Sequence, residues 1–163
     1  MDLPHYPRIE PSRARRHLTG RAGTATSLRI MKRPFRATHP PLRPVLLFDG
    51  ECGCCRFGVE RWRQSAGEGV ELLAAQDPVV NQRFPELQRG DLERSVHLIG
   101  CDGSIVFGAE AVFRVLAMDP DWRGWLRHYE ASTTFAEATE AAYDFVARNR
   151  PFFSALARLG AGV

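Results

Sequence analysis

The chain has 163 residues, 44% hydrophobic and 25% charged, with four cysteines and a formal net charge of +3. That length and composition argue for one globular domain with room for an extension. No apolar run reaches the roughly 18 residues a transmembrane helix needs, and four cysteines are too few to staple a disulfide scaffold.

The charge is unevenly spread. Residues 1–43 carry ten basic residues against two acids, Asp2 and Glu10, whereas residues 44–163 carry 12 basic residues against 17 acids. The first segment also holds Pro4, Pro7, Pro11, Pro34, Pro40 and Pro41 and little apolar periodicity. Such a stretch cannot offset the entropy of ordering, so residues 1–43 read as a disordered basic tail and residues 44–163 as the folded domain. Three readings of the tail stay open: a basic arm for nucleic acid or an acidic membrane surface, an Arg-rich organelle leader, or a mis-assigned start with Met31 as the natural one. One Lys against 21 Arg points to a GC-rich coding sequence and favours the last. No apolar core of a secretory signal is visible, which predicts a reducing, cytoplasmic compartment.

The domain opens with Pro44-Val45-Leu46-Leu47-Phe48, a continuous apolar run that suits a strand buried on both faces. After Asp49-Gly50 a helix is expected from about Cys54 to Ser65, with Cys55, Val59 and Trp62 on one stripe and Gly67 and Gly69 as its stop. Val70–Ala74 reads as a second strand, parallel to the first, completing a βαβ unit. Asp77-Pro78 is a helix start, cut short by Pro85, and a polar loop runs from there to Ser95. Val96–Ile99 and Ile105–Phe107 flank Asp102-Gly103, which predicts a hairpin with both turn residues at positive φ. A helix follows from Gly108 to Met118. Two more are expected around Trp122, Trp125, Leu126 and Tyr129 and from Thr134 to Asn149, and Phe152–Leu159 adds an amphipathic turn or two. The β-α-β-α-β-β-α order is that of a thioredoxin-like α/β fold with extra C-terminal helices.

Cys52-Gly53-Cys54-Cys55 follows a buried strand and opens a helix, where free N–H groups and the helix dipole favour an anion. A thiolate there is a better nucleophile at neutral pH. The spacing predicts Cys52 before the first turn with its sulfur exposed, and Cys55 facing inward on the Val59–Trp62 stripe. An outer thiol that attacks a disulfide and an inner thiol that resolves the mixed disulfide are what dithiol exchange requires. Asp49, at the end of a buried strand, suits two compatible roles: proton acceptor for the inner thiol, and turn-former with Gly50. Glu51 and Arg56 read as solvated residues and Cys54 as a bystander. A zinc site drawing on Cys52, Cys54, Cys55 and either Cys101 or His97 is the alternative. It lacks a second spaced ligand pair, and adjacent Cys54 and Cys55 face different sides of a helix. Cys101 otherwise reads as a turn residue and His97 as a packed strand residue.

Phe48-Asp49-Gly50-Glu51-Cys52-Gly53-Cys54-Cys55 resembles the D-x-x-C-x-x-C signature of the DCC thiol-disulfide oxidoreductase family. Val96–Ile99 through Asp102-Gly103 to Phe107–Ala111 is similar to that family's middle block, and Tyr143–Arg150 to its C-terminal Tyr-x-x-x-Ala-x-Asn-Arg block. The resemblance covers roughly residues 44–159. It implies a thioredoxin-like fold and a dithiol-disulfide oxidoreductase, with Cys52 and Cys55 as the redox pair and Asp49 as an accessory. Thioredoxins carry a cis-proline before the third sheet strand, and Arg94-Ser95 stands there instead, so substrate docking differs from theirs. Tyr143, Arg148, Asn149 and Arg150 fit either a partner surface or a helix end, and Asn with Arg near the last carbonyls favours the helix end.

The expected function is that of a protein-disulfide reductase type of enzyme, acting on a disulfide-containing protein or a small thiol compound. No cofactor or metal is required, because the cysteines carry the electrons. Neither nucleic-acid binding nor stable membrane insertion is expected. Two rivals are a metal-binding module built on the same cysteines and a non-catalytic interaction domain on a thioredoxin-like scaffold.

Overall fold

Val45, Leu46 and Leu47 are fully buried, and in the computed structural model, which describes residues 36–160, they lie in an inner strand, β1 (Val45–Phe48). Helix α1 (Gly53–Ala66) and a 3-10 turn at Gly67–Gly69 connect it to β2 (Glu71–Ala74), which pairs parallel to β1. Two short helices follow, α2 (Pro78–Arg83) and α3 (Arg89–Arg94). Then β3 (His97–Ile99) pairs antiparallel with β1, and β4 (Ile105–Phe107) antiparallel with β3. The sheet order is β2-β1-β3-β4. Four helices complete the described chain: α4 (Gly108–Leu116), α5 (Arg123–Ala131), α6 (Thr133–Arg148) and α7 (Arg150–Gly160).

Alternation along the strands divides the core in two. Leu46, Leu98 and Val106 meet Val59 and Ala66 of α1 and Ala111 and Val115 of α4 on one face. Val45, Leu47, Ile99 and Ile105 meet Val80, Phe84, Leu87 and Leu92 on the other. A mixed sheet between helices in this strand order is the expected thioredoxin-like α/β architecture. A third cluster, Ala109, Tyr129 and Ala136 with Phe113 and Phe135, fastens α5 and α6 to α4.

Three details differ from the sequence expectation. The polar loop before Ser95 contains α3, a six-residue helix whose one buried residue is Leu92. A single apolar side chain leaves no periodicity to detect. The hairpin turn sits one residue earlier than the Asp-Gly pair suggests. Gly103 N–H donates to Gly100 O at 2.9 Å and Gly100 N–H to Ser104 O at 2.8 Å, so Gly103 closes the turn in the left-handed region (φ 80°). Asp102 instead folds back, its Oδ1 accepting from Ser104 N–H at 3.0 Å. Finally, residues just before Pro44, assigned by composition to the tail, pack on this hairpin. Ala37 is buried and its N–H donates to Gly103 O at 2.7 Å, while Thr38 N–H donates to Glu86 Oε1 at 3.0 Å. The remainder of the expected tail, residues 1–35, lies outside the described residues. Among those described, no helix is long and apolar enough to cross a membrane.

Candidate active site

β1 ends at Phe48, and the chain turns through Asp49–Glu51 into α1. Gly50 is required here by close approach: a Cβ on it would stand 2.8 Å from the Cβ of Ala74 and 3.1 Å from Gln76 Oε1. Cys52 is the N-cap of α1, and its Sγ accepts from Cys55 N–H at 3.3 Å. A sulfur thus occupies the position where helices ordinarily place Ser, Thr or Asp, facing the unpaired amides of the first turn. Cys52, Cys54 and Cys55 are all free thiols.

The exposure of the pair departs from expectation. Cys52, expected to be open, retains 8% of its surface, while Cys54 and Cys55 are half-buried. The reason lies far along the chain. Helix α7 packs on α1 and passes over its start, where Cys54 N–H donates to Ser154 Oγ at 3.1 Å. Burial pushes the Cys55 thiol well above its ordinary range; the hydrogen bond to Cys52 and the charges of Cys52 and Asp49 push the same way, and Arg150 opposes them. Burial and the charge of Cys52 raise Cys54 too, again against Arg150.

Asp49 is held on every side. Its Oδ1 accepts from Glu51 N–H at 3.0 Å and from Gln76 Nε2 at 2.8 Å, and its Oδ2 pairs with Arg150 Nη1 at 3.2 Å. Gln76 uses its other atom as well, Oε1 accepting from Gly50 N–H at 2.9 Å. Arg150 continues onto the segment before β3, donating to Glu93 O and, at 2.6 Å, to Arg94 O. Both members of the Asp49–Arg150 pair keep 16% of their side-chain surface. Tyr143 reaches the same segment, its hydroxyl oxygen accepting from Val96 N–H at 2.9 Å. Burial raises the Tyr143 hydroxyl, while its hydrogen bonds to Val96 and Ser95 and the charge of Arg150 lower it.

The turn-forming role expected of Asp49 is therefore present, and Glu51 and Arg56 are exposed as expected. Asn149 does finish α6, its Nδ2 donating to Phe145 O at 2.7 Å. Arg150 and Tyr143, for which the sequence favours a helix end over a partner surface, instead reach inward, Arg150 to Asp49 beside the cysteines, where Gln76 and Ser154 also bond, and Tyr143 to the segment before β3. Periodicity carries no sign of this convergence. The signal that existed was chemical: an acid at the end of a buried strand needs a cation, and Arg150 follows the helix-ending Asn149.

Neither Cys101 nor His97, considered as a further metal ligand, joins the three cysteines of the motif. The register pairing Val45 with Ile99 puts Cys101 beyond the opposite end of β1 from Cys52. There its Sγ donates to Leu42 O at 3.4 Å. His97 is buried on β3 beside Leu47, with Nδ1 2.9 Å from Ser95 O. Among the described residues no group of three His, Cys, Asp or Glu is arranged to hold a metal ion.

Neither a curated protein nor a solved structure matches the chain. The profile of one family does, over residues 46–155, which span the sheet, the cysteine motif, Asp49 and the Tyr143–Arg150 block. On that match, joined to a thioredoxin-like sheet with the cysteines at the start of α1, the chain belongs to the DCC1-like thiol-disulfide oxidoreductase family.

Proposed function

We propose that Cys52 and Cys55 form a redox pair that exchanges a dithiol for a disulfide, with Cys52 as attacking and Cys55 as resolving thiol. The observation that carries this reading is the N-cap placement of Cys52, with Cys55 N–H on its sulfur at 3.3 Å. That sulfur stands at the start of α1, where the first-turn amides have no partner within the helix. In the first step the Cys52 thiolate attacks a substrate sulfur, forming a mixed disulfide and expelling one substrate thiolate. Cys55, deprotonated, then attacks Cys52 Sγ, forms the intramolecular disulfide and releases the second substrate thiolate. Two electrons pass from the protein to the substrate, and no bound cofactor is needed.

The raised Cys55 thiol makes its deprotonation the demanding step. Asp49 is the proposed acceptor, held in place by Gln76 and Arg150. Cys54 is a bystander in this scheme. A protein or a low-molecular-weight disulfide serves as substrate, and a reducing compartment such as the cytoplasm is one that returns the pair to its dithiol form.

Trapping tests the assignment. Cys52→Ser abolishes turnover of a model disulfide, Cys55→Ser accumulates a mixed disulfide through Cys52 detectable by intact mass, and Cys54→Ser changes the rate little. If Cys54→Ser is the dead variant, the pair is wrongly assigned.

A further inference from the structure

A protein substrate that presents its disulfide on an extended segment is usually held by main-chain hydrogen bonds, as an added strand. Such docking needs unpaired backbone groups beside the reactive sulfur. Here the segment entering β3 adjoins the motif, because Arg150 ties its carbonyls to Asp49 and the register that pairs Leu47 with His97 leads toward Phe48.

That segment is already paired within the molecule. Glu93 O and Arg94 O accept from Arg150. Ser95 N–H donates to Asp91 O at 3.1 Å, and Ser95 O lies 2.9 Å from His97 Nδ1, which must be the protonated nitrogen because a carbonyl only accepts. Val96 N–H donates to Tyr143 Oη at 2.9 Å, and Val96 O accepts from Gly108 N–H at 3.2 Å. On the other side of the motif Cys54 N–H is taken by Ser154 Oγ. Tyr143 and Ser154 thus take backbone donors that a peptide would use, Arg150 bonds the carbonyls beside them, and Cys52 keeps only 8% of its surface. A peptide carbonyl would find both N–H donors of this segment, Ser95 and Val96, already engaged, and would have to break one of those bonds to gain its own.

We infer that the site takes low-molecular-weight disulfides and not disulfides carried on extended protein segments. The inference rests on the exchange reading above and narrows its substrate to one class. A small disulfide needs only an approach to Cys52 Sγ in line with its S–S bond. It forms the mixed disulfide, releases one small thiolate, and gives up the second when Cys55 attacks.

The test is single-turnover oxidation of the fully reduced full-length protein, so no further reductant enters. The probes are bis(2-hydroxyethyl) disulfide, oxidised glutathione, and two unstructured peptides joined by one disulfide. Each rate constant is divided by that of the same probe with a simple free thiol, which removes differences in intrinsic disulfide reactivity. The expected result is a normalised rate at least about tenfold higher for a small probe than for the peptide probe. A peptide probe within about tenfold of the faster small one, or faster than it, overturns the inference and leaves the exchange reading standing. Failure of all three probes to exceed the free-thiol reference overturns both.

Discussion

At the scale of single residues, Arg150 supplies the charge that works against burial at the site. It opposes the burial that raises Cys54, Cys55 and Tyr143, and it pairs with the one carboxylate, Asp49, whose charge disfavours the Cys55 thiolate. Arg150 acts through these groups and so positions the chemistry without itself reacting. Below the thiol's pKa the thiolate fraction grows about tenfold per pH unit, so release of the second thiolate from the mixed disulfide should accelerate steeply as pH rises. Arg150→Gln should move that rise to higher pH and slow resolution at pH 7. Arg150→Lys keeps the charge but not the planar fork that reaches Asp49, Glu93 and Arg94, and should restore the pH profile without the full rate. Quenched-flow analysis of mixed-disulfide decay against pH checks both. An unshifted profile in Arg150→Gln would mean that the guanidinium only ties the segment before β3 in place.

At the scale of elements, the C-terminal helices join the thioredoxin-like core through a buried carboxylate. Glu140 of α6 is 9% exposed and accepts from Ala109 N–H and Glu110 N–H at the start of α4, each at 3.3 Å, and from Tyr129 Oη of α5 at 2.6 Å. One side chain thus caps one helix and anchors another, in a position the α4 dipole favours. Glu140→Ala leaves those donors in a buried site and should lower stability by about 3 kcal/mol, read as a drop in the urea midpoint. Glu140→Gln should cost less, because an amide oxygen still accepts. This joint marks where sequence reading stops. The strands and long helices were legible because burial on one or both faces imposes a period on the residues themselves, as in Val45–Phe48 or Ala111–Val115. The place of Cys52 and Cys55 at a strand-to-helix junction was legible because a buried run before them and a helical stripe after them mark both sides. The roles of Glu140, Arg150 and Ser154 depend on where α6 and α7 dock, and no local pattern encodes a contact such as Cys54 with Ser154, 100 residues apart. The burial of Cys52 depends on the same docking of α7 on α1.

For the whole molecule, these local environments set the pH range in which the reduced protein is stable, and the two flanks have different causes. On the acid side, Glu71 on β2 accepts from Arg83 at 2.7 Å, and that hydrogen bond, with the charges of Arg83 and Arg43, holds its carboxyl below the ordinary value of 4.5. The folded state then binds its proton less readily than the unfolded chain, so the contribution is present above pH 4.5 and fades as pH falls through the folded value. The site is partly exposed, so added salt should weaken this flank. On the alkaline side the sign reverses. The Cys55 thiol stands far above its ordinary value of 9.0, so as pH passes 9.0 the unfolded chain releases a proton that the folded protein keeps. Stability therefore falls with rising pH until the folded thiol ionises in turn. Cys54, Cys101 and Tyr143, all raised by burial, add to the same slope. Under constant reductant, the urea midpoint of the wild-type protein should decline between about pH 8 and pH 10, across the ordinary thiol range. Cys55→Ser should flatten that decline the most among single thiol replacements, because it removes the group burial raises furthest, whereas Cys101→Ser should change it little. Equal slopes in wild type and Cys55→Ser would show that Cys55 is not the buried, protonated thiol that the proposed resolving step requires.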